Sequence, residues 1–216
     1  MGGKKTPMKR LLNVGGGSKS IQLPPEYAGF EHVLLDIDPV GKPDIVLDGR
    51  NLTELPGAQF DAIYCSHNLE HYFRHDVPKV LGGFFHVLKP GGFAQIRVPD
   101  LVDLMRRVVQ GNIDLEDTLY VSPAGPIAPI DVIYGLGRQI ETSGVDFFAH
   151  KTGFSAQSLT RAVEGAGFAP NFAKVGDLEI NLIAFKGTPD PEHLRLFGIL
   201  PQDPGPGSGI TLTEPN

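Results

Sequence analysis

Leu11-Leu12-Asn13-Val14-Gly15-Gly16-Gly17-Ser18 decides how this chain is read. An apolar run stops abruptly at three glycines and a serine. Such a stop suits a strand whose end turns sharply beneath a bound ligand. Glycine takes backbone angles that a side chain forbids and lets another molecule approach the main chain. Nineteen residues beyond Gly17, a second apolar run ends in Leu34-Leu35-Asp36-Ile37-Asp38. A glycine bend after one strand and a carboxylate at the tip of the next is a layout for gripping a nucleoside.

Outward from this pair, residues 10–14 read as the first strand, and residues 32–35, 44–47 and 62–65 as further short strands. Their apolar character is near-continuous, as buried parallel strands require. Pro24, Pro25 and Gly29 leave room for only a short or broken first helix. Residues 76–88 place Val77, Val80, Leu81, Phe84, Val87 and Leu88 at helical spacing, and Gly82 and Gly83 predict close packing or a bend there. Lys89-Pro90-Gly91-Gly92 reads as a firm stop before a strand over 93–98, after which Asp100 caps a helix over 101–110.

Residues 111–154 break this rhythm. Pro123, Pro126 and Pro129 exclude one regular helix over 120–134. A long excursion from a small α/β domain is usually functional. A helix over 155–166, two closing strands over 169–175 and 179–185, and a short helix near 193–198 complete the reading. The expected organisation is a flexible arm (1–9), one domain (10–186) with 111–154 as a substrate-side insertion or lid, and a Pro/Gly-rich tail (187–216). From Pro201 onward the tail is expected to be disordered or a surface strap.

The 216 residues are 41% hydrophobic and 20% charged, enough for one soluble domain with a filled core. A formal net charge of -6 argues against broad electrostatic binding of nucleic acid or anionic membrane. No run approaches the roughly 20 apolar residues that span a bilayer. The basic start lacks the apolar stretch of a signal peptide, so a cytoplasmic location is expected. The single cysteine, Cys65, lies in an apolar run and reads as a core thiol.

In order and spacing these segments resemble the class I S-adenosylmethionine-dependent methyltransferases, especially the methyltransferase-domain group that acts on small molecules. The resemblance covers residues 10–98 and, more loosely, 150–186. It implies a three-layer α/β Rossmann-like fold with a mostly parallel seven-stranded sheet whose last strand, about 180–185, is antiparallel. It also implies S-adenosylmethionine as cofactor and direct displacement of its methyl group by a small or medium-sized acceptor. Asn13, Gly15, Gly16 and Gly17 look like the family's first motif. Asp36, followed by Ile37, looks like the acid that holds the ribose hydroxyls. Asp48 with Gly49 looks like the residue pair near the adenine amine. Phe60 to His71 looks like the fourth strand and its following loop, where Ser66 and His67 are candidates to line the methionine side or the methyl-transfer site. The chain departs from the family at Asn13, where many members carry an acidic residue.

The residues support these roles by their own chemistry. A carboxylate such as Asp36 can accept both ribose hydroxyls, and Asp48 can accept from the adenine amine or simply cap a turn before Gly49. Asp38 rivals Asp36 but reads better as a cap before Pro39. Leu52 and Leu55 serve equally as an adenine cover or as core. If the acceptor must lose a proton, His67 or His71 is the first base candidate and His150 the second. Arg97, Pro99, Asp100, Tyr120, Tyr134, Arg138, His150 and Lys151 are the polar and aromatic candidates for the acceptor side. Glu70 and His71 are adjacent, would point about 100° apart on a helix, and read as a local structural pair. The cluster His67, Glu70, His71 and His75 matches no closed zinc spacing, so no metal is expected.

Two other classes remain open beside the transferase. A non-catalytic S-adenosylmethionine-binding or scaffold protein is one. A nicotinamide-dependent oxidoreductase is weaker, because Ser20 stands where a third spaced glycine would be and no Tyr-x-x-x-Lys pair is evident. A small-molecule acceptor is the expected partner, and a homo-oligomer is compatible with the sequence.

Overall fold

A computed structural model describes residues 8–200. The arm expected over 1–9, apart from Met8 and Lys9, and the strap or disorder expected from Pro201 onward lie outside the described residues. In chain order the elements are β1 (Arg10–Val14), β2 (Glu31–Asp36), β3 (Ile45–Val46), β4 (Phe60–Ser66), α1 (Val77–Val87), β5 (Leu88–Pro99) and α2 (Leu101–Gly111). There follow β6 (Tyr120–Ser122), β7 (Gly125–Ile127), α3 (Pro129–Tyr134), α4 (Gly137–Ser143), α5 (Ala156–Gly165), β8 (Asn171–Gly176), β9 (Glu179–Phe185) and α6 (Pro191–Leu196).

Seven strands form one sheet in the order β3-β2-β1-β4-β5-β9-β8. The pairs β1–β2, β2–β3, β1–β4 and β4–β5 are parallel, and β9 runs antiparallel to both β5 and β8. The chain winds outward from β1 to β3 and then crosses back to β4. A crevice therefore opens beyond the carboxyl ends of β1 and β4, where α/β sheets bind ligands.

The apolar runs explain the layers. Leu11, Leu12, Val14 and Val33 to Leu35 are all buried, so the inner strands need cover on both faces. On one face, α1 and α5 pack Leu81, Phe84, Leu159 and Val163 against Leu12, Val14, Ile63 and Ile96. On the other, Leu11, Tyr64, Phe93 and Phe185 are covered by Tyr27 and by Leu194, Phe197 and Ile199. Those last three belong to α6 and the residues after it, so residues 191–199 serve as part of the outer layer. A third, small cluster of Leu104, Ile127 and Val132 joins α2 to the 111–154 excursion.

Two expectations change in detail. The strand expected at residue 93 begins at Leu88, directly after α1 ends at Val87. Leu88 pairs with Phe60, the register then shifts, and Gly91 takes φ +77 before Ala62 meets Phe93. Lys89–Gly92 is thus an irregular part of the strand. Within α1 only Gly83 is closely packed: a Cβ there would lie 2.7 Å from Leu52 Cβ, whereas one at Gly82 would meet nothing within 4 Å. Among the described residues no helix is long and apolar enough to cross a membrane.

Candidate functional site

The glycine bend and the acid at the tip of β2 are wired together. Gly15 and Gly17 take φ +70 and +65, in the left-handed region that favours glycine. The Gly15 N–H donates to Leu35 O at 2.8 Å. The Gly17 N–H donates to Asp36 Oδ2 and the Asp38 N–H to Asp36 Oδ1, each at 2.9 Å. Asp36 is 9% exposed, and each of its oxygens keeps a second lone pair for a hydroxyl. A side chain at Gly15 would overlap the Asn68 amide, and one at Gly16 would overlap Asn13. Beside Gly17 the nearest atom to such a side chain would be Ile21 Cδ1 at 3.7 Å, an ordinary contact without overlap. Asn13 is buried and its amide lies 3.3 Å from His32 Nε2. Asp38 caps the turn Pro39–Gly41 by accepting from the Val40 N–H at 2.9 Å.

Asp48 caps the 3-10 turn Gly49–Glu54, accepting from the Arg50 N–H at 2.9 Å. It also receives Arg50 Nε at 3.0 Å and Nη2 at 2.6 Å. Burial opposes its charge, yet these Arg50 bonds hold its pKa below the ordinary carboxylate range. Beside it, Gly49 is buried under the Tyr72 hydroxyl, which leaves no room for a side chain. Burial, with added repulsion from Asp48 and Asp36, holds that phenol well above its usual pKa. A cavity of about 170 Å³ opens here, bordered by Ile37, Asp48, Asn68, His71, Tyr72 and Phe73 among others. Leu52 is 0% exposed and packs in the core with Leu55 against it, which settles both leucines as core.

Ser66 ends β4 and His67 follows at φ +49, its N–H donating to Arg97 O at 2.8 Å. The ring sits between two carboxylates, with Nε2 3.0 Å from Glu179 Oε2 and Nδ1 3.5 Å from Glu70 Oε1. Burial alone would lower its pKa, but the two carboxylates outweigh burial and raise it to about 9. The two carboxylates thus favour the protonated ring, which acts as a donor and has no free lone pair. Glu179 is anchored in turn by Arg97, through Nε at 3.0 Å and Nη2 at 2.8 Å. Sequence reasoning missed Glu179. The signal was present: antiparallel pairing of Pro99 with Glu179 brings the first residue of β9 to the ligand-binding edge.

Glu70 and His71 lie in a 3-10 turn, Leu69–His71. Lys151 and Thr152 donate their N–H groups to Glu70 O at 2.8 and 3.1 Å, which ties the segment after the excursion to this turn. His150 is thereby brought to His71, with ring centroids 4.9 Å apart. The side chains of Glu70 and His71, expected to form a local structural pair, thus meet a third from far along the chain. Burial lowers the pKa of His150 despite the opposing charge of Glu70, so its ring is neutral and able to accept a proton.

A larger cavity of about 500 Å³ lies on the far side of this loop. Its walls come from His67 and Pro99, from Tyr120, Ile127, Asp131, Val132, Leu136 and His150 of the excursion, and from Asp177, Leu178 and Glu179. Of the residues expected on the acceptor side, Pro99, Tyr120 and His150 line it. Others serve elsewhere. Arg97 holds Glu179, and Asp100 caps α2 by accepting from Val102 and Asp103. Arg138 donates to Pro126 O at 3.1 Å, and Lys151 pairs with Asp146 beside the smaller cavity. Tyr134 is exposed.

Winding order, the antiparallel β9, the left-handed glycine bend and the buried acid at the tip of β2 define a class I S-adenosylmethionine-dependent methyltransferase domain. A family model described as a methyltransferase domain matches residues 1–171, and the chain belongs to that family. No protein of curated function matches the sequence. Among solved structures, a SAM-dependent methyltransferase from Archaeoglobus fulgidus aligns at 16% identity and TM-score 0.53, over 83% of this chain and 87% of that one. A protein from Pyrococcus horikoshii aligns at 16% identity and TM-score 0.54, over 82% of each chain. A SAM-dependent methyltransferase from Methanosarcina mazei aligns at 16% identity and TM-score 0.52, over 84% of this chain and 94% of that one. At such identities these likenesses are of fold alone. The residues present fit the cofactor: Asp36 has spare acceptor capacity, no side chain crowds the bend at Gly17, and the smaller cavity adjoins Asp48.

Proposed function

We propose that this chain transfers the methyl group of S-adenosylmethionine to a small-molecule acceptor seated in the larger cavity. One observation carries the reading. The two cavities flank the same loop, His71 borders the smaller and His150 the larger, and the two rings are 4.9 Å apart. The shared wall is where a methyl group would cross.

When bound, the cofactor supplies a sulfonium-activated methyl, transferred in one displacement as the electron pair of the breaking bond returns to sulfur. The residues of this chain do the rest. Asp36 takes the ribose hydroxyls, the bend at Gly15 to Gly17 admits the methionine portion, and Asp48 with Ile37 borders the adenine. Ser66 and the His67 imidazolium line the passage as polar donors. His150 is neutral and takes the proton from an acceptor that must lose one. The cavity volume suits a small molecule, and its mix of Leu119, Ile127 and Leu136 with Tyr120, Asp131 and Glu179 suits one with an apolar body and hydrogen-bonding groups.

The test is calorimetric titration of S-adenosylmethionine into wild type and Asp36→Ala, with the fold of each checked by circular dichroism. The substitution is expected to weaken binding about tenfold or more, roughly 1.4 kcal/mol. Unchanged affinity in a folded variant would defeat the assignment. Binding without turnover across a broad panel of acceptors would turn the reading to a non-catalytic binding protein.

A further inference from the structure

Among the described residues, Glu70 is the one carboxylate buried with no hydrogen bond to either oxygen. It is 1% exposed, and its ion-pair contact is His67 Nδ1, 3.5 Å from Oε1. His67 offsets part of this buried charge from the side of Oε1, but Oε2 is left with no hydrogen-bond donor, and a carboxylate taken out of water is unfavourable until both oxygens are partnered. Two imidazoles stand beside it. One ligand atom from each of Glu70, His71 and His150 lies within 4.8 Å of the other two.

Both rings are prepared as metal-bound histidines are. His71 Nδ1 lies 3.1 Å from Ala149 O, and His150 Nδ1 lies 2.9 Å from Val132 O. A carbonyl only accepts, so each Nδ1 carries a proton, and in the neutral ring Nε2 is the nitrogen with the lone pair. Such outer hydrogen bonds fix the tautomer and aim the free nitrogen. The backbone bonds from Lys151 and Thr152 to Glu70 O hold the two contributing segments together independently of any ligand.

The geometry points to a divalent-cation site formed by Glu70, His71 and His150. Two imidazoles and one carboxylate suit a transition ion such as zinc, manganese, ferrous iron or cobalt, and leave coordination positions for water or a ligand oxygen. His150 borders the larger cavity, so an oxygen of the acceptor is the natural extra ligand. That use rests on the methyl-transfer reading, whereas the cation site itself does not; with the ion bound, His150 Nε2 is a ligand and no longer takes the acceptor's proton, a role it has only in the cation-free site. It also departs from the sequence-based expectation of no metal, which considered His67, Glu70, His71 and His75 and lacked His150.

The test uses the full chain, stripped with EDTA and titrated separately with Co²⁺, Zn²⁺ and Mn²⁺ by calorimetry, the cobalt form also by visible absorption. One ion per chain is expected for at least one of the three metals. Glu70→Gln, His71→Ala and His150→Ala should each weaken binding roughly tenfold or more. His75→Ala, on an exposed neighbour, should bind as wild type. Absence of stoichiometric binding by wild type to all three ions overturns the site whatever the variants do, as does binding that survives all three ligand substitutions. Cation binding by a chain that neither binds S-adenosylmethionine nor transfers methyl upholds the site and removes the methyl-transfer reading. Methyl transfer by a chain that binds no cation does the reverse.

Discussion

Asp36 does two jobs with one carboxylate. Its oxygens take the amides of Gly17 and Asp38, which sets the bend, and in the proposed function their remaining lone pairs take the ribose hydroxyls. Loss of affinity in Asp36→Ala therefore combines a lost ligand contact with a loosened bend, and the melting temperature should fall alongside. Cys65 shows the opposite case, a reactive group kept out of use. It is 0% exposed, and burial holds its thiol well above the usual cysteine range, so the thiolate that reacts is scarce. The native protein should resist a maleimide reagent at neutral pH and be labelled fully in denaturant. Rapid native labelling, followed by mass spectrometry, would show that the α1 face opens. The place of the acid at a strand tip and the burial of the thiol in an apolar run were both legible locally. The charge state of His67 was not, because Glu179 reaches it only after β9 turns back along β5.

At the scale of the element, α1 carries two adjacent glycines with different reasons to be there. In a helix glycine costs up to about 1 kcal/mol relative to alanine. Gly83 needs its bareness because a Cβ would press to 2.7 Å from Leu52 Cβ, backbone against core. Gly82 faces open space and has no such constraint. Gly82→Ala should stabilise by roughly 0.5–1 kcal/mol, and Gly83→Ala should destabilise by about 1–3 kcal/mol. Urea unfolding of the two variants checks the pair. Equal effects would mean that helix propensity alone governs the site. From the sequence, the spacing of Val77 to Leu88 revealed the helix and the double glycine signalled an approach. Which glycine was approached depended on Leu52, placed by the 3-10 turn Gly49–Glu54.

At the scale of the molecule, the chain divides its labour between two regions. The proposed cofactor side comprises β1, β2 and the loop after β4, whose motifs are local and whose positions as strand tips and a glycine bend were readable. The larger cavity, proposed above as the acceptor side, is assembled from the excursion, the start of β9 and the loop before it, which meet only through tertiary contacts. Pro123, Pro126 and Pro129 announced irregularity there without giving the path of the chain. The cluster of Leu104, Ile127 and Val132 that anchors the excursion needs α2 in place first. If the two sides are separable, filling the larger cavity should abolish transfer while leaving cofactor binding alone. Leu136 lines that cavity at the start of α4, away from the bend and from Asp48. Leu136→Trp should lower methyl transfer about tenfold or more, since a misplaced acceptor forfeits alignment. Its dissociation constant for S-adenosylmethionine should stay within about twofold of wild type, a difference below roughly 0.5 kcal/mol. Calorimetry and product formation on the same preparation read both. Equal loss of binding and turnover would mean that the cavities are one site, and that the ring pair of His71 and His150 divides nothing.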